Sequence, residues 1–200
     1  MFREVPKSLD VPAVEHEILD FWAKNDIEQK YLGRNADSDD RFSFMDGPIT
    51  ANGPMGVHHA WGRTYKDLWQ RYNTMLGKKQ RYQNGFDCQG LWVEVMLERK
   101  LGFTSKRDIE LFGIAEFVRA CKKDVFHWAE MQTDQSRRLG YFMDWDHSYY
   151  TLSDENNYAI WHFLKVCQER KLLYQGTDVM PWCSRCGTGL SETEVAEGYE

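Results

Sequence analysis

The 200-residue sequence has no long apolar run, which excludes a helix crossing a bilayer, since that takes about 20 consecutive apolar residues. It also lacks the apolar segment of a secretory leader, because Met1-Phe2-Arg3-Glu4-Val5-Pro6 opens the chain without one. A cytoplasmic protein with no membrane partner is the expectation. A disulfide framework is missing too. The five cysteines are an odd number: Cys88, Cys121 and Cys167 are scattered, and only Cys183 and Cys186 lie close together. In a cytosolic chain the scattered three read as reduced, structural thiols. Basic excess is absent, and a net charge of −6 argues against a simple electrostatic nucleic-acid binder while leaving room for a local basic patch. There is no internal repeat and no low-complexity tract. What the sequence does hold is core material. A hydrophobic content of 42%, with eight tryptophans and eleven phenylalanines, excludes a disordered chain. The length suits one ordinary domain, or one with a small appendage.

The periodicities alternate. Val14, Ile18, Phe21 and Trp22 recur at helical spacing and predict a helix from Val11 to about Lys30, with Pro12 in its first turn. After a charged loop at 35–40, the run Phe42–Asp46 reads as a buried strand. A loop rich in glycine and proline leads into a helix from about His58 to Leu76, stopped by Gly77. Lys79–Phe86 has the length of a strand ending at Asp87, and Leu91–Leu101 is a helix stopped by Gly102. Strand, helix, strand, helix is the order of an open parallel sheet, whose ligands sit beyond the carboxyl ends of the strands. The loops at 47–59 and 87–90 both fall there. Lys106 to Gly140 is expected to be mostly helical, burying Ile109, Phe112, Phe117, Cys121 and Val125. Ser153 is a plausible cap for an amphipathic helix from Asp154 to Lys171, and Leu172–Trp182 turns extended.

Three places carry candidate chemistry. Gly47 and Gly53 let backbone approach a ligand in the first loop, and His58 and His59 then stand at a helix start, where free amides and the helix dipole favour an anion. Histidines there can donate to a phosphate and to the charge that builds during in-line displacement. The plainer reading of such a pair is surface or capping residues. Asp87, at a strand end, can pair with an ammonium group; its plainer reading is a helix N-cap. Cys183-Ser184-Arg185-Cys186 has the spacing of one zinc knuckle, but no second Cys-x-x-Cys and no histidine after Cys186 supplies the other ligands. Gly187 and Gly189 argue against the helix that a thioredoxin-like motif would need.

The stretch from Phe42 to Gly102 resembles class I aminoacyl-tRNA synthetases, the isoleucyl enzymes in particular. Asp46-Gly47-Pro48-Ile49-Thr50-Ala51-Asn52-Gly53 is similar to the family's Asp-Gly-Pro-Pro-x-Ala-Asn-Gly. Gly56-Val57-His58-His59-Ala60, followed by Lys66-Asp67, stands where the family has His-x-Gly-His-Ala and then Lys-Asp. Gly85-Phe86-Asp87-Cys88-Gln89-Gly90-Leu91-Trp92-Val93-Glu94 stands for Gly-Trp-Asp-x-His-Gly-Leu-Pro-x-Glu. Valyl and leucyl first-loop patterns fit less well. In register, Gly56 and His58 exchange the first and third signature positions, and only His59 keeps the family's histidine. Gln89 and Trp92 are further departures.

The resemblance implies an α/β fold, the first half of a doubly wound, Rossmann-like nucleotide-binding domain followed by the start of an inserted connective module. The expected boundaries are an N-terminal helical extension at 1–40, the half-domain at 41–175 and the module's beginning at 176–200. It implies ATP binding by Asn52, Gly56, His58 and His59, with His58 and His59 catalytic, and isoleucine binding by Gly47, Pro48, Asp87 and Gln89. The implied cofactors are ATP with Mg2+, and Zn2+ at Cys183 and Cys186 completed from outside the chain. The implied partners are isoleucine and tRNA(Ile). No Lys-x-Ser-Lys string occurs here, so the chain alone is expected to be inactive. The alternatives are a valine– or leucine–tRNA ligase fragment, or a non-catalytic RNA-associated or zinc-knuckle binding module.

Overall fold

The computed structural model describes residues 8–198. Helix α1 (Val11–Lys24) begins where the Asp10 carboxylate accepts the Ala13 amide at 3.2 Å, and Pro12 sits in the first turn. The single helix expected to Lys30 is two. The Asn25 side chain donates to the Phe21 carbonyl at 2.8 Å and closes the first ladder, and Asp26 takes a left-handed φ of 52° before α2 (Ile27–Leu32).

Strands β1 (Arg41–Met45) and β2 (Ile49–Thr50), helix α3 (Val57–Met75) and strand β3 (Lys79–Asp87) follow. β1 and β3 pair in parallel, with Arg41 opposite Lys79 and Met45 opposite Gln83, so α3 is a crossover helix. The chain leaves α3 through Leu76 and Gly77, whose φ of 85° suits a residue without Cβ. β1 is not the buried strand expected. Phe42 and Phe44 half-bury on one face, while Arg41, Ser43 and Met45 stay exposed on the other. Phe44 packs against a core of Tyr82, Tyr141, Met143 and Trp145. α3 itself is inverted. It buries Arg63, Asp67, Gln70, Asn73 and Thr74, and leaves Trp61, Tyr65, Leu68 and Trp69 exposed.

Helix α4 (Leu91–Leu101) stops at Gly102 with φ 74°. The helical stretch expected from Lys106 is broken at Gly113, with φ 102°, into α5 (Lys106–Phe112) and α6 (Ile114–Arg138). Of its expected buried face, Phe117 and Val125 are buried, Ile109 and Cys121 are half-buried, and Phe112 is exposed. Strand β4 (Asp144–Tyr150), not anticipated from the sequence, pairs with β3. The sheet order is β1-β3-β2, with β4 joined to β3 off that path. Ser153 caps α7 (Asp154–Glu169) by accepting the Asn156 amide at 3.2 Å, and Ile160 and Phe163 of its apolar stripe are exposed. Only the end of the stretch expected to be extended forms a strand. β5 (Trp182–Cys183) pairs antiparallel with β6 (Thr188–Gly189), and α8 (Glu192–Gly198) follows.

The chain divides into two compact units. Among the described residues, one holds 8–86 together with His127–Tyr149; the other holds Asp87–Phe126 together with 150–198. Among the described residues no helix is long and apolar enough to cross a membrane.

Candidate functional site

In the first unit a cleft of about 240 Å3 opens between the loop after β1 and the start of α3. Gly47, Pro48, His58 and His59, all candidates from the sequence, line it together with Asp46 and Lys66. Gly56 is the cap residue of α3, and its carbonyl accepts the amides of His59 at 3.0 Å and Ala60 at 3.2 Å. In return the Gly56 amide donates to Nδ1 of His59 at 3.2 Å. The rings of His58 and His59 lie with centroids 3.9 Å apart. A Cβ at Gly56 would come within 2.7 Å of the His58 ring, so the glycine is what lets that ring fold back over the helix start. The capping reading of His59 therefore holds for Nδ1, which accepts the Gly56 amide at the helix start. Burial lowers the His59 pKa first, followed by His58, Arg63 and Lys66, against the opposing effect of Asp46.

Beneath the cleft lies a charged hub. Arg63, buried, donates from Nε to Asp46 Oδ2 at 3.0 Å, from one terminal nitrogen to Ser136 Oγ at 2.5 Å and from the other to Asn84 Oδ1 at 2.6 Å. Lys66 donates to the other Asp46 carboxylate oxygen. The Asp46 backbone is held as well: its amide donates to the Gln83 carbonyl at 2.8 Å, and its carbonyl accepts the Tyr149 hydroxyl at 2.9 Å. Tyr149 reaches it across Gly85, where a Cβ would meet the tyrosine ring at 2.2 Å. The far side of the loop is clamped by α6. Gln132 donates to the carbonyls of Thr50 at 3.1 Å and Gly53 at 2.7 Å, and Gln135 accepts the Met55 amide at 2.7 Å. Asn52 and Gly56, assigned to ATP from the sequence, are not among the cleft's walls; Asn52 donates its amide to the Thr50 carbonyl at 3.0 Å.

The second unit carries the other turn. Asp87 closes β3, and α4 takes Gly90 as its cap residue with no side-chain capping bond, so Asp87 is not the N-cap of that helix. Thr151 holds the turn: its Oγ1 accepts the Cys88 amide at 2.9 Å and donates to Gln89 Oε1 at 3.0 Å. Cys88 and Gln89 face a separate, mostly apolar cavity of about 220 Å3, walled also by Val93, Phe117 and Cys121. Burial raises the thiol pKa of Cys88 and pushes that of Cys121 up to about 11, so neither is a thiolate nucleophile at neutral pH.

The β5–β6 hairpin presents the two remaining cysteines. The Cys186 amide donates to Cys183 Sγ at 3.4 Å, the Gly187 amide to the Cys183 carbonyl at 2.9 Å, and Gly187 has φ 68°. The neighbouring Cys183 sulfur, then burial, raises the Cys186 pKa. Two sulfurs on a tight turn, one of them accepting the Cys186 amide, fit half of a tetrahedral thiolate site. Among the described residues no cluster of three or more histidine, cysteine or acidic side chains could hold a metal ion, and none of the cysteines is in a disulfide.

Sequence reasoning missed Asp46, Arg63 and Lys66 as parts of the site. Asp46 opens the first loop motif and Lys66 belongs to the Lys-Asp pair, so both were in view as pattern. Arg63 gave no signal, because a lone arginine in a helix reads as solvent-facing.

Residues 17–200 match the family described as tRNA synthetases class I (I, L, M and V). An isoleucine–tRNA ligase of Streptomyces coelicolor is 42% identical over 199 residues, covering 100% of this chain and 19% of that protein. One of Clostridium tetani is 41% identical over 200 residues, with the same shares. The chain thus spans about a fifth of the length of these curated relatives, at 19% of each. A crystal structure of an Agrobacterium radiobacter K84 LeuRS, agnB2, in ternary complex with tRNA and LeuAMS superposes with a TM-score of 0.67 at 16% identity, covering 94% of this chain and 22% of that one. That likeness is one of fold, an α/β architecture around a parallel strand pair. With the match running through nearly all of its length, the chain belongs to the class I tRNA synthetase family.

Proposed function

We propose that the chain is a portion of an isoleucine–tRNA ligase, which forms isoleucyl-adenylate from isoleucine and ATP with release of pyrophosphate, then passes the isoleucyl group to tRNA(Ile) with release of AMP. The observation that carries the chemistry is the cleft at the start of α3. A carboxylate there is shared by two cations, a helix start offers amides, and a histidine with one nitrogen committed to the backbone faces the same space. Such a floor suits the phosphates of ATP, whose negative charge meets donors already in position. The isoleucine assignment rests on the names of the relatives and on the first-loop motif.

In this reading His59 faces the α-phosphate and His58 stands beside it, Gly47 and Pro48 shape the amino-acid pocket, Asn52 and Gly56 support the nucleotide side, and Asp87 meets the substrate ammonium with Gln89 next to it. Mg2+ enters with ATP. Cys183 and Cys186 would hold Zn2+ with two ligands from elsewhere, and the ion would fix the hairpin as a structural tie. The proposed boundaries remain 1–40, 41–175 and 176–200, and the proposed compartment is the cytoplasm. ATP–pyrophosphate exchange by the full-length protein, run over a panel of amino acids, tests the reading. Exchange is expected with isoleucine above valine and leucine. Exchange with a different amino acid as best substrate, or with none, overturns it. The isolated 200-residue chain is expected to give none above background.

A further inference from the structure

The Gly56 amide points at Nδ1 of His59 from 3.2 Å. A backbone N–H can only donate, so Nδ1 accepts and the ring's single proton resides on Nε2. A second proton at Nδ1 would set donor against donor and leave a helix-start amide without its acceptor. The charges facing the ring act in the same direction. His58 and the two cations Arg63 and Lys66 come from α3 itself, and Asp46, at the end of β1, is the single anion among them. Both carboxylate oxygens of Asp46 are already engaged, one by each cation. Two full positive charges around one negative leave an excess that disfavours an imidazolium beside them. The three members differ in freedom. Arg63 is immobilised by its bonds to Asp46, Ser136 and Asn84, whereas the Lys66 side chain is 35% exposed and ends in the cleft.

We propose that Asp46, Arg63 and Lys66 are positioning residues for His59: together with the Gly56 amide they lock its ring as the Nε2–H tautomer, which offers the cleft a donor without a charge. The positive charge of the cleft then comes from Lys66 and Arg63, and the direction of the histidine proton does not change as an anionic group arrives. An imidazolium would donate too, but would lose its anchor on the helix start and with it the aim of the donor. The catalytic use of this ring rests on the adenylation reading above; the state of the ring does not.

Long-range 1H–15N spectra of the histidine side chains, recorded through a pH titration, read both the tautomer and the titration midpoint of His59. In the unsubstituted chain the expected ring carries its proton on Nε2. Lys66→Gln, at a partly exposed position, should raise the His59 midpoint, and Lys66→Arg, which keeps the cation, should leave it where it was. An Nδ1–H ring in the unsubstituted chain overturns the proposal, as does a midpoint that Lys66→Gln does not move. Because the tautomer is read without any substitution, a variant that fails to fold does not protect the idea. In the full-length protein the two readings separate. An Nε2–H ring in a protein that activates no amino acid sinks the adenylation reading alone, and an Nδ1–H ring in an active enzyme sinks the positioning triad alone.

Discussion

The two turns that follow β1 and β3 are built on opposite principles. The first is held by charge: Asp46 ends its strand with both carboxylate oxygens, its amide and its carbonyl all engaged, and a buried arginine ties it to β3 and α6. The second is held by a neutral hydroxyl, as Thr151 takes the Cys88 amide and gives its proton to Gln89. A charged hub is rigid and dear to disturb, because each ion left without its partner is a buried charge. A neutral hydroxyl tether is worth less and yields more easily. Under the proposed function, the first turn would keep donors aimed at a site of developing charge, while the second would only present the Asp87 carboxylate. The difference teaches that a turn fixed by buried ions tolerates substitution less than one fixed by a neutral hydroxyl.

The largest effect should come from the hub. Arg63→Met leaves Asp46 buried with half its compensation, and the expected loss of stability is about 3–5 kcal/mol, read by urea denaturation. A loss no greater than that of an ordinary surface substitution would mean the hub is an ornament. Next in size is a functional split between the turns in the full-length protein. His59→Ala should lower the adenylation rate by roughly 10²–10³-fold with little change in ATP affinity, as for removal of one transition-state donor. Asp87→Ala should instead weaken isoleucine binding far more than ATP binding. If both variants fall on the same kinetic constant, the two turns do not differ as described.

Gly85→Ala tests the tyrosine that bridges to Asp46. A methyl group placed within 2.2 Å of the Tyr149 ring must displace it, and overpacking of this kind costs about 1–3 kcal/mol. Combining Gly85→Ala with Tyr149→Ala should recover part of that loss, which denaturation midpoints will report. Thr151→Val, in the second turn, removes one acceptor and one donor and should cost only about 1 kcal/mol. A loss as large as that of Arg63→Met would erase the contrast between the turns.

The smallest effect concerns pH. His59 has its pKa lowered in the folded chain from the ordinary 6.5, chiefly by burial. A lowered value means the unfolded chain binds the proton more readily. The stability it contributes is therefore complete above about 6.5 and is lost as pH falls through the folded value. Unfolding free energies measured between pH 8 and 5 should decline, and His59→Gln should flatten that decline.

Much of the local architecture was legible in the sequence. Gly77 and Gly102 stopped helices at the residues expected, both with positive φ. The β1–α3–β3 order implied parallel pairing, and Ser153 capped α7 as its neighbours suggested. These features follow from interactions within a few residues, where a cap, a missing Cβ or an apolar period has one favoured outcome. The site was legible as a motif: Gly47, Pro48, His58 and His59 do share one cleft. The break at Asp26 was not, because it depends on an asparagine side chain choosing the helix carbonyls over solvent.

Tertiary structure alone decided the rest. Periodicity made α3 a helix, but only packing against the sheet and α6 turned its polar face inward, where Arg63 finds Asp46, Asn84 and Ser136 from three distant stretches of chain. β4 escaped notice because Asp144, Asp146, His147 and Ser148 interrupt its aromatic residues, and pairing with β3 gives the segment its place. A sequence states which groups can ionise or donate; which of them share a carboxylate depends on contacts between residues far apart along the chain, and those exist only once the chain has folded.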